Sequence, residues 1–146
     1  MQVLPVMAPQ PFDFPPLTVD VNFDGYLDFA VVADHGAKWG RYIWWVYDPN
    51  AGRFVQDNLT HQLGRLAAND FRFDVKKHEI ITEDLIAGCP PLVTRYRVAA
   101  NRLVTVHEEI GAQNIDNGCT VTYQDRVNGI MRTSHVQRFV RGRPLK

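Results

Sequence analysis

No sign of charge dominates this sequence: 16 Lys and Arg stand against 16 Asp and Glu in 146 residues, a formal net charge of +0. A global field drawing the chain to nucleic acid, to an anionic membrane or to a cationic substrate is therefore excluded, and any partner is recognised locally. Long apolar runs are missing too. The longest, such as 27–33 and 42–47, fall far short of the roughly 20 residues that span a bilayer. The first residues, Met1-Gln-Val-Leu-Pro-Val-Met, have neither the basic start nor the apolar stretch of a secretory signal. Two readings follow, a cytosolic protein or a mature chain whose leader has been removed. Catalytic signatures are absent: there is no Gly-x-Ser-x-Gly elbow, no P-loop and no Gly-x-Gly-x-x-Gly. His35, His61, His78, His107 and His135 are scattered without metal-ligand spacing, and neither cysteine has a histidine nearby in sequence. The expectation is a protein that is not an enzyme. The short basic tail Arg138, Arg141, Arg143 and Lys146 has no basic domain behind it, so nucleic acid is not an expected partner.

What is present is enough for one domain with a core: 45% apolar residues, with eight Phe, five Tyr and three Trp. Prolines 5, 9, 11, 15 and 16 preclude a regular helix at the start and predict an extended entry over 1–17. From Tyr26 onward, eight segments alternate or run apolar with β-branched and aromatic residues: 27–32, 42–47, 71–75, 79–82, 93–98, 103–108, 120–123 and 134–139. Turn residues separate them, among them Asp48-Pro-Asn-Ala-Gly, Ala100-Asn and Val127-Asn-Gly. This predicts an all-β fold, an antiparallel meander of hairpins forming a partial propeller-like or irregular sheet, single-domain over 1–146. Only 57–68 has helical spacing, with Leu59, Leu63 and Leu66, Asp57 or Asn58 as cap and Gly64 as interruption. At most one short helix is expected near 58–67.

The two cysteines, Cys89 and Cys119, sit in turn contexts, Ala87-Gly-Cys-Pro-Pro and Asp116-Asn-Gly-Cys-Thr. A disulfide is predicted, worth about 3–4 kcal/mol by chain entropy; two buried thiols are the alternative.

Asp20-Val-Asn-Phe-Asp-Gly-Tyr-Leu-Asp puts oxygen-bearing side chains at loop positions 1, 3, 5 and 9, glycine at 6 and a backbone carbonyl at 7. Asp20, Asn22, Asp24, Tyr26 and Asp28 thus form a set of hard donors suited to a structural calcium ion. Position 12 is Val31, and a β-pattern follows, which excludes an EF-hand. With the ion bound, the net charge becomes about +2. A second cluster, Asp34-His-Gly-Ala-Lys-Trp-Gly-Arg-Tyr, is predicted to present His35, Lys38, Trp39, Arg41 and Tyr42 at a hairpin tip, in residue types that dominate protein-binding hot spots. Of the adjacent Trp44 and Trp45, one is expected in the core. The acid pairs Glu83-Asp84 and Glu108-Glu109 read as solvated, because neighbours on a strand point to opposite faces.

The order of Asp20-Val-Asn-Phe-Asp-Gly-Tyr-Leu-Asp, Trp44-Trp-Val-Tyr-Asp-Pro-Asn-Ala-Gly-Arg-Phe and Val104-Thr-Val-His-Glu-Glu resembles the calcium-binding, propeller-like (FG-GAP-type) periplasmic immunity proteins of bacterial killing secretion systems. Those are in turn similar to periplasmic lysozyme inhibitors. The resemblance covers roughly residues 18 to 109. It implies calcium at Asp20, Asn22, Asp24, Tyr26 and Asp28, export to the periplasm with a leader trimmed before Met1, and a loop that plugs a cell-wall hydrolase. The Ser-Gly-x-x-Tyr loop of some lysozyme inhibitors has no counterpart here. A carbohydrate-binding or adhesion module of FG-GAP type is the alternative.

Overall fold

The structure, a computed structural model, describes residues 1–4 and 15–146. The Pro-rich entry therefore lies mostly outside the described residues; Pro15 and Pro16 carry no regular structure and lead into the first strand. Twelve strands and one helix follow: β1 (Leu17–Val19), β2 (Asp28–His35), β3 (Gly40–Asp48), β4 (Arg53–Val55), α1 (Asn58–Leu63), β5 (Ala67–Ala68), β6 (Asp70–Asp74), β7 (Glu79–Asp84), β8 (Leu92–Ala99), β9 (Arg102–Gln113), β10 (Gly118–Val127), β11 (Ile130–Val140) and β12 (Arg143–Pro144). The all-β expectation holds. All eight predicted strands are present, several of them longer than their apolar pattern.

The strands make two antiparallel sheets. A five-stranded sheet runs β1-β2-β3-β4, with β5 also paired to β3. A seven-stranded sheet keeps strict sequence order from β6 to β12 and curls into a half-barrel. Turn chemistry explains that order. Ala100 and Asn101 (φ 49° and 57°), Asn128 and Gly129 (51° and 80°), and Arg141 and Gly142 (52° and 74°) all take positive φ. Each pair joins directly opposed strand residues, so β8–β9, β10–β11 and β11–β12 are two-residue hairpins whose turn twist matches that of the strands.

The helix is one short segment, as its spacing indicated. The Asp57 carboxylate accepts the Thr60 N–H at 2.9 Å, and the Thr60 hydroxyl oxygen accepts the Asp57 N–H at 2.7 Å, a reciprocal cap. Gly64 closes it. Ala67 and Ala68, within the helical pattern of the sequence, form β5 instead.

Alternation along β2 and β3 sends Ala30, Val32, Tyr42, Trp44 and Val46 into one core with Leu59, Leu63 and Ile80. Phe71, Phe73, Tyr96, Val98 and Leu103 of the seven-stranded sheet pack against it. Tyr42 meets Phe71 edge-on at 5.6 Å, and Trp44 meets Phe73 at 6.2 Å. Trp45, pointing the other way, is buried as well, beside Phe29. The five-stranded sheet thus covers the β6–β9 half of the larger one. At the other half a separate small cluster forms from Leu92, Cys119, Val121 and Phe139, with Cys89 against it. Cys89 and Cys119 are disulfide-bonded, their Cα atoms 4.9 Å apart across 30 residues of sequence.

Candidate functional site

The loop before β2 is organised around its own acidic side chains. Asp20 accepts the N–H of Asp24 at 3.0 Å and of Gly25 at 2.8 Å. Asn22 Oδ1 accepts the Asp24 N–H at 3.2 Å, and its amide donates to Asp24 Oδ2 at 2.9 Å. Asp24 Oδ1 accepts the Tyr26 N–H at 2.9 Å. Gly25, at φ 93°, takes the sharp turn that a side chain would strain. Asp28 has a different environment. It is fully buried, with Oδ2 accepting the Val21 N–H at 2.8 Å and Oδ1 the Tyr47 N–H at 2.9 Å. Burial pushes its carboxyl up to about 6 against the pull of those two donors, and the Asp24 and Asp20 charges add to the rise. Asp28 thus braces the loop base to β3. Among the described residues, no three His, Cys, Asp or Glu side chains are gathered as a metal cluster. The donor chemistry of Asp20, Asn22 and Asp24, all oxygen, and the turn at Gly25 fit a hard cation.

The second predicted cluster is split by the fold. His35 ends β2, and Lys38 and Trp39 are exposed in the connection to β3. Arg41 is exposed and pairs with Asp34 at 3.2 Å. Tyr42 is the correction. Its pairing with Val32 on β2, next to the irregularity between Val32 and Asp34, turns its ring inward, and it is buried in the core. The tip is therefore His35, Lys38, Trp39 and Arg41. The indole of Trp39 lies so close over Gly36 that a Cβ at that glycine would collide with it, and β5 holds the strand beyond by pairing Ala68 with Gly40.

Trp39 also stands on one wall of a groove of about 540 Å³, where the five-stranded sheet stops covering the larger one. Leu85 and Ile86 after β7 form another wall, Ile110 of β9 a third, and Asp84 and Glu108 face the space between them. The register Asp84↔Leu92 and Thr94↔Glu108 sets these acids on the same groove from strands separated by β8. Their reading as solvated positions is corrected: both are half-buried groove residues. Alternation separates the first pair, since Glu83 turns away to bond Arg72 at 3.1 Å, whereas Glu108 and Glu109 both line the groove. Burial pushes the Asp84 carboxyl up. Burial likewise raises the nearby Tyr96 hydroxyl, with the charges of Glu108 and Asp84 acting in the same direction. Gly111, beside them, has no room for a side chain: a Cβ would stand 2.7 Å from Leu92 Cδ1 and 2.9 Å from Cys89 Sγ.

One histidine has partners that its sequence position did not announce. His107 Nδ1 is 2.7 Å from Asp125 Oδ1, and its Nε2 is 3.4 Å from Glu109 Oε1. Glu109 Oε2 meanwhile accepts the Val93 N–H at 3.0 Å. The three strands that meet there are adjacent only through pairing, so no local motif could reveal the trio. His107 thus ties β9 to β10 through Asp125, whose carboxylate the Ser134 hydroxyl also bonds.

No protein-family model and no curated protein matches the sequence. Among solved structures the chain is similar to a Xanthomonas type IV secretion system related protein, with a TM-score of 0.61 and 16% sequence identity. The likeness covers 82% of this chain and 57% of that one, so this chain spans little more than half of that protein's length. At such identity the likeness is one of fold. No helix among the described residues is long and apolar enough to cross a membrane.

Proposed function

We propose that this chain is an exported, non-enzymatic binding protein of the bacterial periplasm, an immunity protein or inhibitor that blocks a peptidoglycan-degrading effector or lysozyme. The observation that carries the reading is the tip beyond β2 and β3. It holds Lys38 and Trp39 out in solvent on a strand pair anchored by the main core, with Arg41 beside them. A rigid, cationic and aromatic projection suits the carboxylate-lined cleft of a cell-wall hydrolase. Arg41 already leans on Asp34, so Lys38 is the group that pairs with the enzyme's acid. The disulfide is compatible with an oxidising compartment, and the fold likeness to a secretion-system-related protein accords with that setting.

Calcium has a structural part in this proposal. Asp20, Asn22 and Asp24, with the Tyr26 carbonyl, would hold it, and Asp28 secures the loop from beneath. The ion's contribution is to neutralise the loop's carboxylates and fix the turn that enters β2. Inhibition assays against a panel of muramidases and amidases test the reading. Inhibition by the wild type that is lost in Lys38→Glu supports it, and no inhibition of any panel member defeats it. A melting temperature indifferent to calcium and to EGTA removes the metal.

Trp39 on the wall of a groove favours one second reading, a carbohydrate-binding or adhesion module in which the indole stacks on a sugar ring. Binding to peptidoglycan or glycan arrays without enzyme inhibition would select it.

A further inference from the structure

We infer that the groove between Trp39, Ile86 and Ile110 receives a basic side chain, arginine or lysine, presented by a partner protein. This contact is separate from the insertion of Lys38 into an enzyme, and it stands whether or not that partner is a hydrolase.

The charge balance of the groove carries the argument. Three carboxylates line it, those of Asp84, Glu108 and Glu109, and no lysine or arginine does. Glu109 is engaged by the Val93 N–H and by His107. Asp84 and Glu108 have no ion-pair partner among the described residues, although every other acid on β6 and β7 except Asp74 is paired: Asp70 and Glu83 with Arg72, and Glu79 with Arg97. Asp84 and Glu108 are half-buried carboxylates on one groove, and a cation placed against them would supply the opposite charge that the groove lacks.

The walls determine what kind of cation fits. Leu85, Ile86, Ile110 and the indole of Trp39 leave 51%, 39%, 44% and 38% of their surface exposed around the two carboxylates. A small hydrated ion would leave these walls bare. A side chain with an apolar stem and a charged head covers them with its stem, lays its head against the indole face and ends at the carboxylates. The volume, about 540 Å³, lies in the range of sites for small ligands, so it accepts one side chain with its flanking residues and excludes a docked helix. The groove is also preformed. Gly111 packs on Leu92 and Cys89 without space for a Cβ, and the Asn69 side chain accepts the Leu85 N–H at 2.9 Å, fixing the start of the wall that follows β7.

Titration of the protein with acetyl-Leu-Arg-Leu-amide, followed by the NMR shift of the Trp39 indole N–H, tests this. Acetyl-Leu-Gln-Leu-amide serves as the uncharged comparison. The arginine peptide is expected to bind about tenfold or more tightly than the glutamine peptide, given the strength of a charge-assisted bond. Asp84→Asn and Glu108→Gln, each isosteric, should each remove most of that preference, whereas Glu83→Gln on the opposite face should keep it. A lysine peptide should behave as the arginine one. Equal binding of the charged and uncharged peptides, shifts that map away from Trp39, or a preference that survives both groove substitutions would overturn the proposal. Saturable binding of a chito-oligosaccharide at Trp39 that ignores both carboxylates would overturn it in favour of a sugar site. Should one variant fail to fold, the other still decides.

Discussion

The two halves of the large sheet are held by different means. From β6 to the start of β9 the sheet lies under the five-stranded sheet, and aromatic and aliphatic side chains from both fill the space between. From the far end of β9 to β12 nothing comparable covers it; four buried residues and a disulfide do the work instead. The lesson is one of substitution: where area for burial is short, a covalent link replaces it. The groove occurs at the boundary between the two regimes, where the covering sheet ends and the stapled half begins.

That comparison breaks most sharply at its best-packed point. Trp44→Ala, in the covered half, should cost about 3–5 kcal/mol in urea denaturation and unfold both halves together. Trp44→Phe should cost far less, because the indole N–H it removes has no partner among the described residues. Replacing both cysteines by alanine should cost about 3–4 kcal/mol. Its mark is regional: amide exchange should accelerate in β10, β11 and β12 well before it does in β2 and β3. If exchange rises equally everywhere, the two halves are one cooperative unit.

A smaller effect sharpens the covered half. The helix α1 clips the β8–β9 hairpin, since Gln62 Oε1 accepts the Leu103 N–H at 2.9 Å and the Asn58 amide donates to the Asn101 carbonyl at 3.0 Å. Asp57→Ala, which removes the helix cap, should cost about 1 kcal/mol and leave the stapled half untouched. The smallest effect is a pH dependence in the stapled half. The hydrogen bond from His107, helped by Ser134, holds the Asp125 carboxyl below its ordinary value. A depressed carboxylate contributes its stability above the unfolded value of about 3.9 and loses it as pH falls through the folded one. Asp125→Asn should therefore flatten the acid limb of the stability curve slightly, as read from melting temperatures between pH 5 and 2.

Much of this architecture was legible in the chain. Alternation in 93–98 and 103–108 marked strands because one face is buried, and Asn-Gly at 128–129 marked a hairpin because both residues tolerate positive φ. Arg141 escaped notice, since an arginine at φ 52° carries no turn signal of its own. The strands β4 and β5, at three and two residues, are too short to show a period. At the site, the acidic loop was visible through its spacing, but the burial of Asp28 depends on Tyr47, nineteen residues away. Tyr42 looked like a tip residue by proximity to Lys38 and Arg41, and only its register with Val32 turned it inward. Asp84 and Glu108 are 24 positions apart in the sequence, and their shared place on one groove depends on the order of three strands. Local chemistry is written locally; shared sites are written in register.

The strict sequence order of β6 through β12 has a consequence in time as well as in space. Each strand's neighbour in the sheet is its neighbour in the chain, so every pairing closes a short loop and little chain entropy opposes it. The large sheet can lengthen one hairpin at a time, like a zip. The pairing of β5 back to β3 and the seating of Trp44 on Phe73 join more distant segments and carry the larger loop-closure cost. A meander assembled in that order would stand, for a short interval, with its aromatic face uncovered, and pulsed amide exchange during refolding would show β6–β12 protected before β2 and β3.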